Sequence, residues 1–567
     1  MVVEPGRVTA KPARRRAAWR PRVPSAVAWL VRLIALTTVI GVLHPGQPNQ
    51  YASLREDAVA DGVAFAAAAS SAAVMLLLAG ALRRRKRRAW ALIVGVAAVA
   101  AVAHAEARQW GDVALHVALL AVLVWARRDF TAESEPRGRL AAVRVLVVMG
   151  GISVLAGLFL TRDTAAPGTG FGRRLGEVLY GLVGFSPDLR FREPGLSDLT
   201  QIALTTLGAL TALLTLLALL APARKPARLD PSDEARLREL LERYGDRDSL
   251  GYFALRRDKT AIWSRTGKAA VVHRVVGGVS LASGDPIGDP EAWPGAVEAW
   301  LDEAERFGWI PGALGVSEAG ATTLCRAGLD ALELGDEAVL DLDRFSLDGR
   351  SMRGVRQAVN RVGRAGYTAT VHRQAALTDR EIAEVTAAAI DLRTDKVERG
   401  FSMALCRLGD RHDPEMVIVR VRDATGRLVC VLGFVPWGTD GLSLDVMRRS
   451  RDSENGTIEF AIAAVAEQAR RWGLRRISLN FAVFRAVFER ASRVGAGPVL
   501  RMWHRLLLFV SRWFQIESLY RANAKYQPDW VPRFVCFRRA ADLPRVAIAA
   551  LEAEAFLVWP KPRRLAR

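Results

Sequence analysis

Cysteine is nearly missing from this 567-residue chain: Cys325, Cys406, Cys430 and Cys536 have no paired spacing and no histidine cluster beside them. That pattern excludes a disulfide-stapled scaffold and a Cys/His metal site, and it points to a reduced, metal-free protein. Acidic residues are the second shortage, and it is local. Lys and Arg outnumber Asp and Glu by 29 to 14 in residues 1–228 but only by 51 to 45 in the remainder, so most of the net +21 sits in the first part. The excess forms short clusters beside apolar runs, which suggests membrane topology before nucleic-acid binding.

Six apolar stretches have lengths suited to crossing a bilayer, the fourth being short: 26–43, 63–82, 89–105, 113–126, 141–160 and 199–221. "KPARRRAAWRPR" precedes the first, "RRRKRR" joins the second to the third, "ARRDF" follows the fourth and "ARKPAR" follows the sixth. With simple alternation all four clusters fall on one side, which the positive-inside rule makes cytoplasmic. Both termini are then cytoplasmic, and the loop 161–198 is extracytoplasmic, with an interfacial stretch around 171–185. The first stretch reads as a retained anchor, since no small-x-small cleavage site clearly follows it. His104, His116 and Arg144 lie near span ends and make no intramembrane acid–base series.

Beyond residue 221 the pattern changes. A basic linker runs into an amphipathic helix (222–245), and short β-branched runs such as "EMVIVRV" and "RRISLNF" then alternate with helical segments such as "TIEFAIAAVAEQARRWG". This predicts a mixed α/β body in which a cycle of strands and a helix occurs twice, at 246–345 and 367–567, although no sequence repeat proves a duplication. Residues 346–366 predict a helix on which Arg353, Arg356, Asn360 and Arg364 form one polar stripe without an acid. A solvated face is the plain reading; RNA backbone or anionic lipid headgroups are its rivals. "GPVLRMWHRLLLFVSRWF" (497–514) suits either an anionic bilayer surface or packing on the core, and its His504 reads as interfacial or packed.

Six short motifs in order, "ASGDPIGDP" (282–290), "LGDEAVLDLDRFSLDG" (334–349), "TDKVERGFSM" (394–403), "LSLDVMR" (442–448), "NGTIEFAI" (455–462) and "YQPDWVPRF" (526–534), resemble the signatures of the lysylphosphatidylglycerol synthases, the bacterial multiple peptide resistance factors. The match covers most of residues 245–540. The apolar stretches predict a multi-pass α-helical membrane domain (25–221, after a basic tail 1–24), and the resemblance implies that a cytosolic α/β domain of two GNAT-like folds joined by the basic helix follows it. It also implies an activity: an aminoacyl group, usually lysine, passes from its tRNA to a glycerol hydroxyl of phosphatidylglycerol. The cationic lipid lowers envelope charge and weakens cationic antimicrobial peptides. Enzymes of this fold that use acetyl-CoA present a glycine-rich loop to its pyrophosphate. Here the equivalent "RRSRDSENGTIE" has one glycine and three acids, so no CoA and no other cofactor is expected.

Ester exchange asks mainly for positioning and charge stabilisation. Asp445 is the first choice to hold a donor ammonium group, with hydroxyl activation as the alternative, and Arg448 to hold a phosphate oxygen or the developing oxyanion. Taken alone, the two make an internal ion pair at a strand end. On an extended strand they face opposite ways unless the strand ends or bulges near 447. Glu459, the third catalytic candidate, starts a helix, where the dipole alone favours an acid. Lys525, Trp530 and Arg533 suit a phosphate and a base or sugar face, and with Arg353, Arg356 and Arg364 they complete the substrate-binding set. Asn523 stands where many family members carry a second lysine. Asp285 and Glu337 read as structural turn and strand-end residues.

The implied partners are an aminoacyl-tRNA, phosphatidylglycerol and the membrane, with charging done by another protein; a homo-oligomer is neither required nor excluded. Two other readings compete. In one the membrane part is a lipid transporter with a regulatory soluble half; in the other the donor is the same but the envelope acceptor differs.

Overall fold

The computed structural model describes residues 23–43, 74–106, 110–132, 137–164, 170–183, 194–220, 227–393, 400–483 and 522–557. Compact packing divides the chain into two units, one built by residues 1–224 and one by nearly all of the rest.

The first unit is helical: α1 (Val23–Leu43), α2 (Val74–Arg83), α3 (Arg87–Glu106), α4 (Trp110–Trp125), α5 (Arg137–Thr164), α6 (Phe171–Val183) and α7 (Pro194–Leu219). Five of the six predicted stretches fall on α1, α3, α4, α5 and α7, and the second ends on α2. Among the described residues two segments are long and apolar enough to cross a membrane, Leu140–Arg162 and Thr200–Leu219, with only 11% and 17% of their apolar windows buried in the protein. Leucine and valine left on the outside of such helices are what a lipid solvent accepts. α5 and α7 meet through small polar side chains, Ser153 Oγ and Thr211 Oγ1 being 2.9 Å apart. The basic stretch 497–514 and the motif residues 394–399 lie outside the described residues.

The second unit is organised by one mixed sheet, in which twelve strands are described. α8 (Pro231–Tyr244) leads in, with Asp230 accepting from Ser232 N as its N-cap. Then come β1 (Thr260–Trp263), β2 (Ala269–Val276), β3 (Val279–Ser283), β4 (Ile287–Gly288), α9 (Trp293–Phe307), β5 (Ile310–Val316), α10 (Glu318–Arg326) and β6 (Asp330–Asp341). After α11 (Arg353–Arg364) follow β7 (Thr368–Arg373), α12 (Asp379–Asp391), β8 (Val417–Arg422), β9 (Leu428–Trp437), β10 (Gly441–Arg449), α13 (Thr457–Arg471), β11 (Arg476–Val483), β12 (Asp529–Phe537) and α14 (Leu543–Ala553).

The sheet order is β1-β2-β3-β5-β12-β6-β11-β10-β9-β8-β7, with β4 paired to β2. One construction occurs twice: an antiparallel meander, a crossover helix, and a strand returning parallel to the last meander strand. It is β1-β2-β3, α9, β5 in the first half and β7 to β10, α13, β11 in the second. Chain order and sheet order part in the middle. β12, late in the chain, lies between β5 and β6, and β6 lies between β12 and β11. Each half thus completes its sheet with a strand from the other. The main apolar core lies between α13 and the strands of the second half, with Val419, Leu432, Phe434, Leu442, Leu444 and Ile477 against Ala461, Ile462 and Val465.

Candidate active site

The parallel pair β10 and β11 is joined at three positions, Gly441–Arg476, Leu442–Ile477 and Ser443–Ser478. Past Ser443 the strands separate, β10 continuing along β9 and β11 along β6. The parallel pair is therefore open beyond Ser443. Asp445 stands at that opening. Leu444 pairs with Phe434 and Val446 with Gly433, so Asp445 is the extra residue of a β-bulge. The bulge lies two residues before the position expected from strand alternation. It re-aims the side chains that follow and turns Met447 outward, 41% exposed, while Arg448 stays half-buried.

The faces of β10 separate the candidates. Leu442 and Leu444 belong to the core under α13. Ser443 turns the other way, where its hydroxyl donates to Ser249 O at 2.7 Å, and the Asp445 carboxylate lies in the path of residues 400–407, Oδ1 accepting from Leu405 N at 2.7 Å. Glu459 lies in the first turn of α13, on the opposite side, and its Oε1 receives Lys525 Nζ at 2.5 Å. Tyr526 is buried beside this pair, with its ring 5.2 Å from Lys525 Nζ; burial and the Glu459 charge hold its phenol well above its usual range, so it remains a hydrogen-bond donor. Trp530 packs half-buried on the same core. Asn523 is buried and donates to Leu479 O at 3.4 Å.

α13 opens on Gly456, at φ 101° and without a side-chain cap. A Cβ there would lie 2.7 Å from the Cβ of Ala358, so the glycine lets α11 approach the start of α13. α11 therefore lies beside that helix terminus through its buried face, Val355, Ala358 and Val362, with the predicted arginine stripe on its other side. Arg353 and Arg364 are exposed, whereas Arg356 is half-buried and donates to Leu347 O and Gly349 O.

Arg533, for which the sequence suggests a substrate contact, is 2% exposed, and all its donors are committed within the protein. Nε and Nη2 donate to Glu337 Oε2 (2.9 and 2.5 Å), Nη1 to Asp248 Oδ1 (2.7 Å) and Nη2 to Ser249 Oγ (2.6 Å). Ser249 and Ser478 complete the shell by donating to Glu337 Oε1. β12 carries Arg533 into the middle of the sheet, where a charge must be paired. Asp285 and Glu337 both belong to this buried region. Asp285 accepts from Ser317 N at 2.8 Å and Ser317 Oγ at 2.5 Å; burial, then the Asp248 charge, raises its carboxyl to about 7.

Sequence reasoning missed the backbone amide of Leu405, for which a side-chain pattern carries no signal, and the acids that anchor its segment. Among the described residues no group of His, Cys, Asp and Glu could hold a metal ion.

The sheet thus carries an acid at a bulge on one face and an ion-paired helix terminus on the other. The model of the family described as phosphatidylglycerol lysyltransferase, C-terminal, matches residues 238–537, and the chain belongs to that family. A second model, described as the transmembrane region of lysyl-tRNA synthetase, matches residues 19–221. The chain is 44% identical over 569 residues to the lysylphosphatidylglycerol biosynthesis bifunctional protein LysX of Mycobacterium avium (strain 104), covering 96% of this chain and 47% of that protein. The LysX protein of Mycobacterium tuberculosis (strain ATCC 25618 / H37Rv) is 45% identical over 484 residues, covering 84% and 41%. The chain thus spans about half the length of these curated relatives. Among solved structures, L-PGS from Bacillus licheniformis shares the fold, with a TM-score of 0.51, 21% identity, and coverage of 59% of this chain and 99% of that one.

Proposed function

We propose that this protein moves an aminoacyl group, lysine first among the choices, from aminoacyl-tRNA to a glycerol hydroxyl of phosphatidylglycerol. The observation that carries the reading is Asp445: a carboxylate at a bulge, at the point where β10 and β11 part, in a chain of the phosphatidylglycerol lysyltransferase family. A lysyl donor brings two ammonium groups, and a fixed carboxylate is their natural counter-charge. Asp445 holds one of them. Glu459, through its pair with Lys525, sets the charge at the α13 terminus, and Lys525 with Arg448 meets phosphate or the developing oxyanion. Trp530 offers an aromatic face, and Arg353 and Arg364 reach the donor's phosphates. The expected acceptor is a lipid because six apolar stretches, a matched transmembrane region and two exposed apolar helices lie ahead of the sheet. In this reading the six stretches cross the plasma membrane of a bacterium, both termini and the catalytic body are cytoplasmic, and that body is two GNAT-like halves.

The test is direct. The purified full chain in phosphatidylglycerol vesicles, supplied with Lys-tRNA carrying labelled lysine, should make a labelled, ninhydrin-positive lipid. Lack of product with every aminoacyl-tRNA tried would sink the proposal, and product on a different acceptor would leave the donor and replace the lipid.

A further inference from the structure

We propose that Glu554, just past α14, is a positioning residue for the acyl transfer, acting through the segment Gly400–Cys406 on Asp445. This rests on the reading of Asp445 as a site residue.

The segment is held in a shape the backbone does not favour. Gly400 has φ 115°, and a Cβ there would collide with Ala404; Cys406, which is not a glycine, has φ 59°. Such conformations persist only where the surroundings over-determine them, and they cluster at functional sites. Here the surroundings are specific. Glu554 Oε2 accepts from Phe401 N at 2.6 Å, and Oε1 accepts from Ser402 N at 3.0 Å and Ser402 Oγ at 2.5 Å. Arg256 Nη1 donates to Gly400 O and, at 3.1 Å, to Ala404 O. The Phe401 ring is fully buried, with Lys259 Nζ 4.6 Å and the Arg274 guanidinium 4.9 Å from its centre. Downstream, Arg407 is fixed by Asp413 and Glu234.

Between these anchors Leu405 presents its N–H to Asp445. The Asp445 carboxylate is therefore oriented by a main-chain group whose own position is set from α14. The two oxygens of Glu554 serve neighbouring amides, so a glutamine keeps the length and loses one acceptor. A carboxylate displaced by a fraction of an ångström is a larger loss for a transition state than for binding.

Glu554→Gln, Glu554→Ala and Ser402→Ala should be compared with the parent chain in the vesicle assay, alongside thermal unfolding and amide hydrogen exchange. The expected result for Glu554→Gln is a fall in kcat of about tenfold or more, KM for lysyl-tRNA within about twofold, an unfolding temperature near that of the parent, and faster exchange across 401–405. Ser402→Ala, which removes one bond of three, should show a smaller kcat loss in the same direction. Glu554→Ala serves only as a check on folding; if it unfolds, the other two variants decide. Activity per folded molecule unchanged in Glu554→Gln, or a loss confined to KM, overturns the proposal. Asp445→Asn separates the two readings. If it is inactive while Glu554→Gln is normal, only the role of Glu554 falls; if it turns over like the parent, the site reading falls with it.

Discussion

Two residues past β3 the chain places Asp285, and in the middle of β10 it places Asp445, one acid in each half beside a parallel strand pair. The first junction is closed. β3 and β5 pair along five positions to Ser283–Leu314, and just beyond them Asp285 is tied to Ser317, next to the buried Arg533 network. The second junction pairs at three positions and opens, with its acid in a bulge. The same construction is thus sealed in one half and open in the other. The sealing group comes from a strand late in the chain, so the closed junction also joins the two halves.

The largest expected effect breaks the closed side. Arg533→Ala leaves Glu337 and Asp248 buried without their cation, which costs about 3–5 kcal/mol when one partner of a buried pair is removed. Urea unfolding of the full chain in detergent should show that loss in the unfolding of the α/β unit. A change under about 1 kcal/mol would mean that the network relaxes and that the sealed junction owes little to charge. Arg533→Lys should recover little, because a single ammonium cannot reproduce the fork that reaches Glu337, Asp248 and Ser249.

Next comes one substitution made in both halves. Asp445→Asn should lower lipid product by about 100-fold or more with the fold intact, the scale on which a preorganised charge acts. Asp285→Asn should leave product near that of the parent and alter pH dependence instead. With its carboxyl raised to about 7, folded Asp285 holds a proton that the unfolded chain has released from about pH 4 upward. Folded protein then binds more protons than unfolded between those values, so stability falls as pH rises through the window, by at most about 1.4 kcal/mol per unit. Unfolding measured at pH 5 and pH 8 should differ less in Asp285→Asn than in the parent. Equal activity loss in the two variants would erase the contrast between the halves.

The contrast also shows which parts of the molecule are readable from sequence. Alternating strands, the helix between them and the twofold cycle are local patterns, and an acid such as Asp445 inside a strand is visible because a β-branched residue would suit an ordinary strand better. The burial of Arg533 is not legible in the sequence, because its neighbours, Lys525 and Trp530, fit a substrate surface, while its place between β5 and β6 is fixed by pairings with residues some 200 positions away. The bulge at Asp445 depends on register with β9, and the hold on Leu405 depends on a glutamate beyond α14; neither leaves a trace in local spacing.

The smallest expected effect concerns α11, beside the open junction. Its buried face, Val355, Ala358 and Val362, fixes the helix on the domain, so the exposed Arg353 and Arg364 can be changed without loss of packing. Neutralising each should weaken binding of lysyl-tRNA a few-fold and lower the slope of log affinity against log salt by roughly one per lost phosphate contact. Arg356→Ala should behave differently, because this side chain already bonds Leu347 O and Gly349 O and its removal loosens that turn more than it removes a phosphate contact. Titrations at several salt concentrations separate the three variants. Equal slopes in the parent, Arg353→Ala and Arg364→Ala would make the stripe a solvated face. A loss of binding to phosphatidylglycerol vesicles with an unchanged tRNA slope would assign it to lipid headgroups.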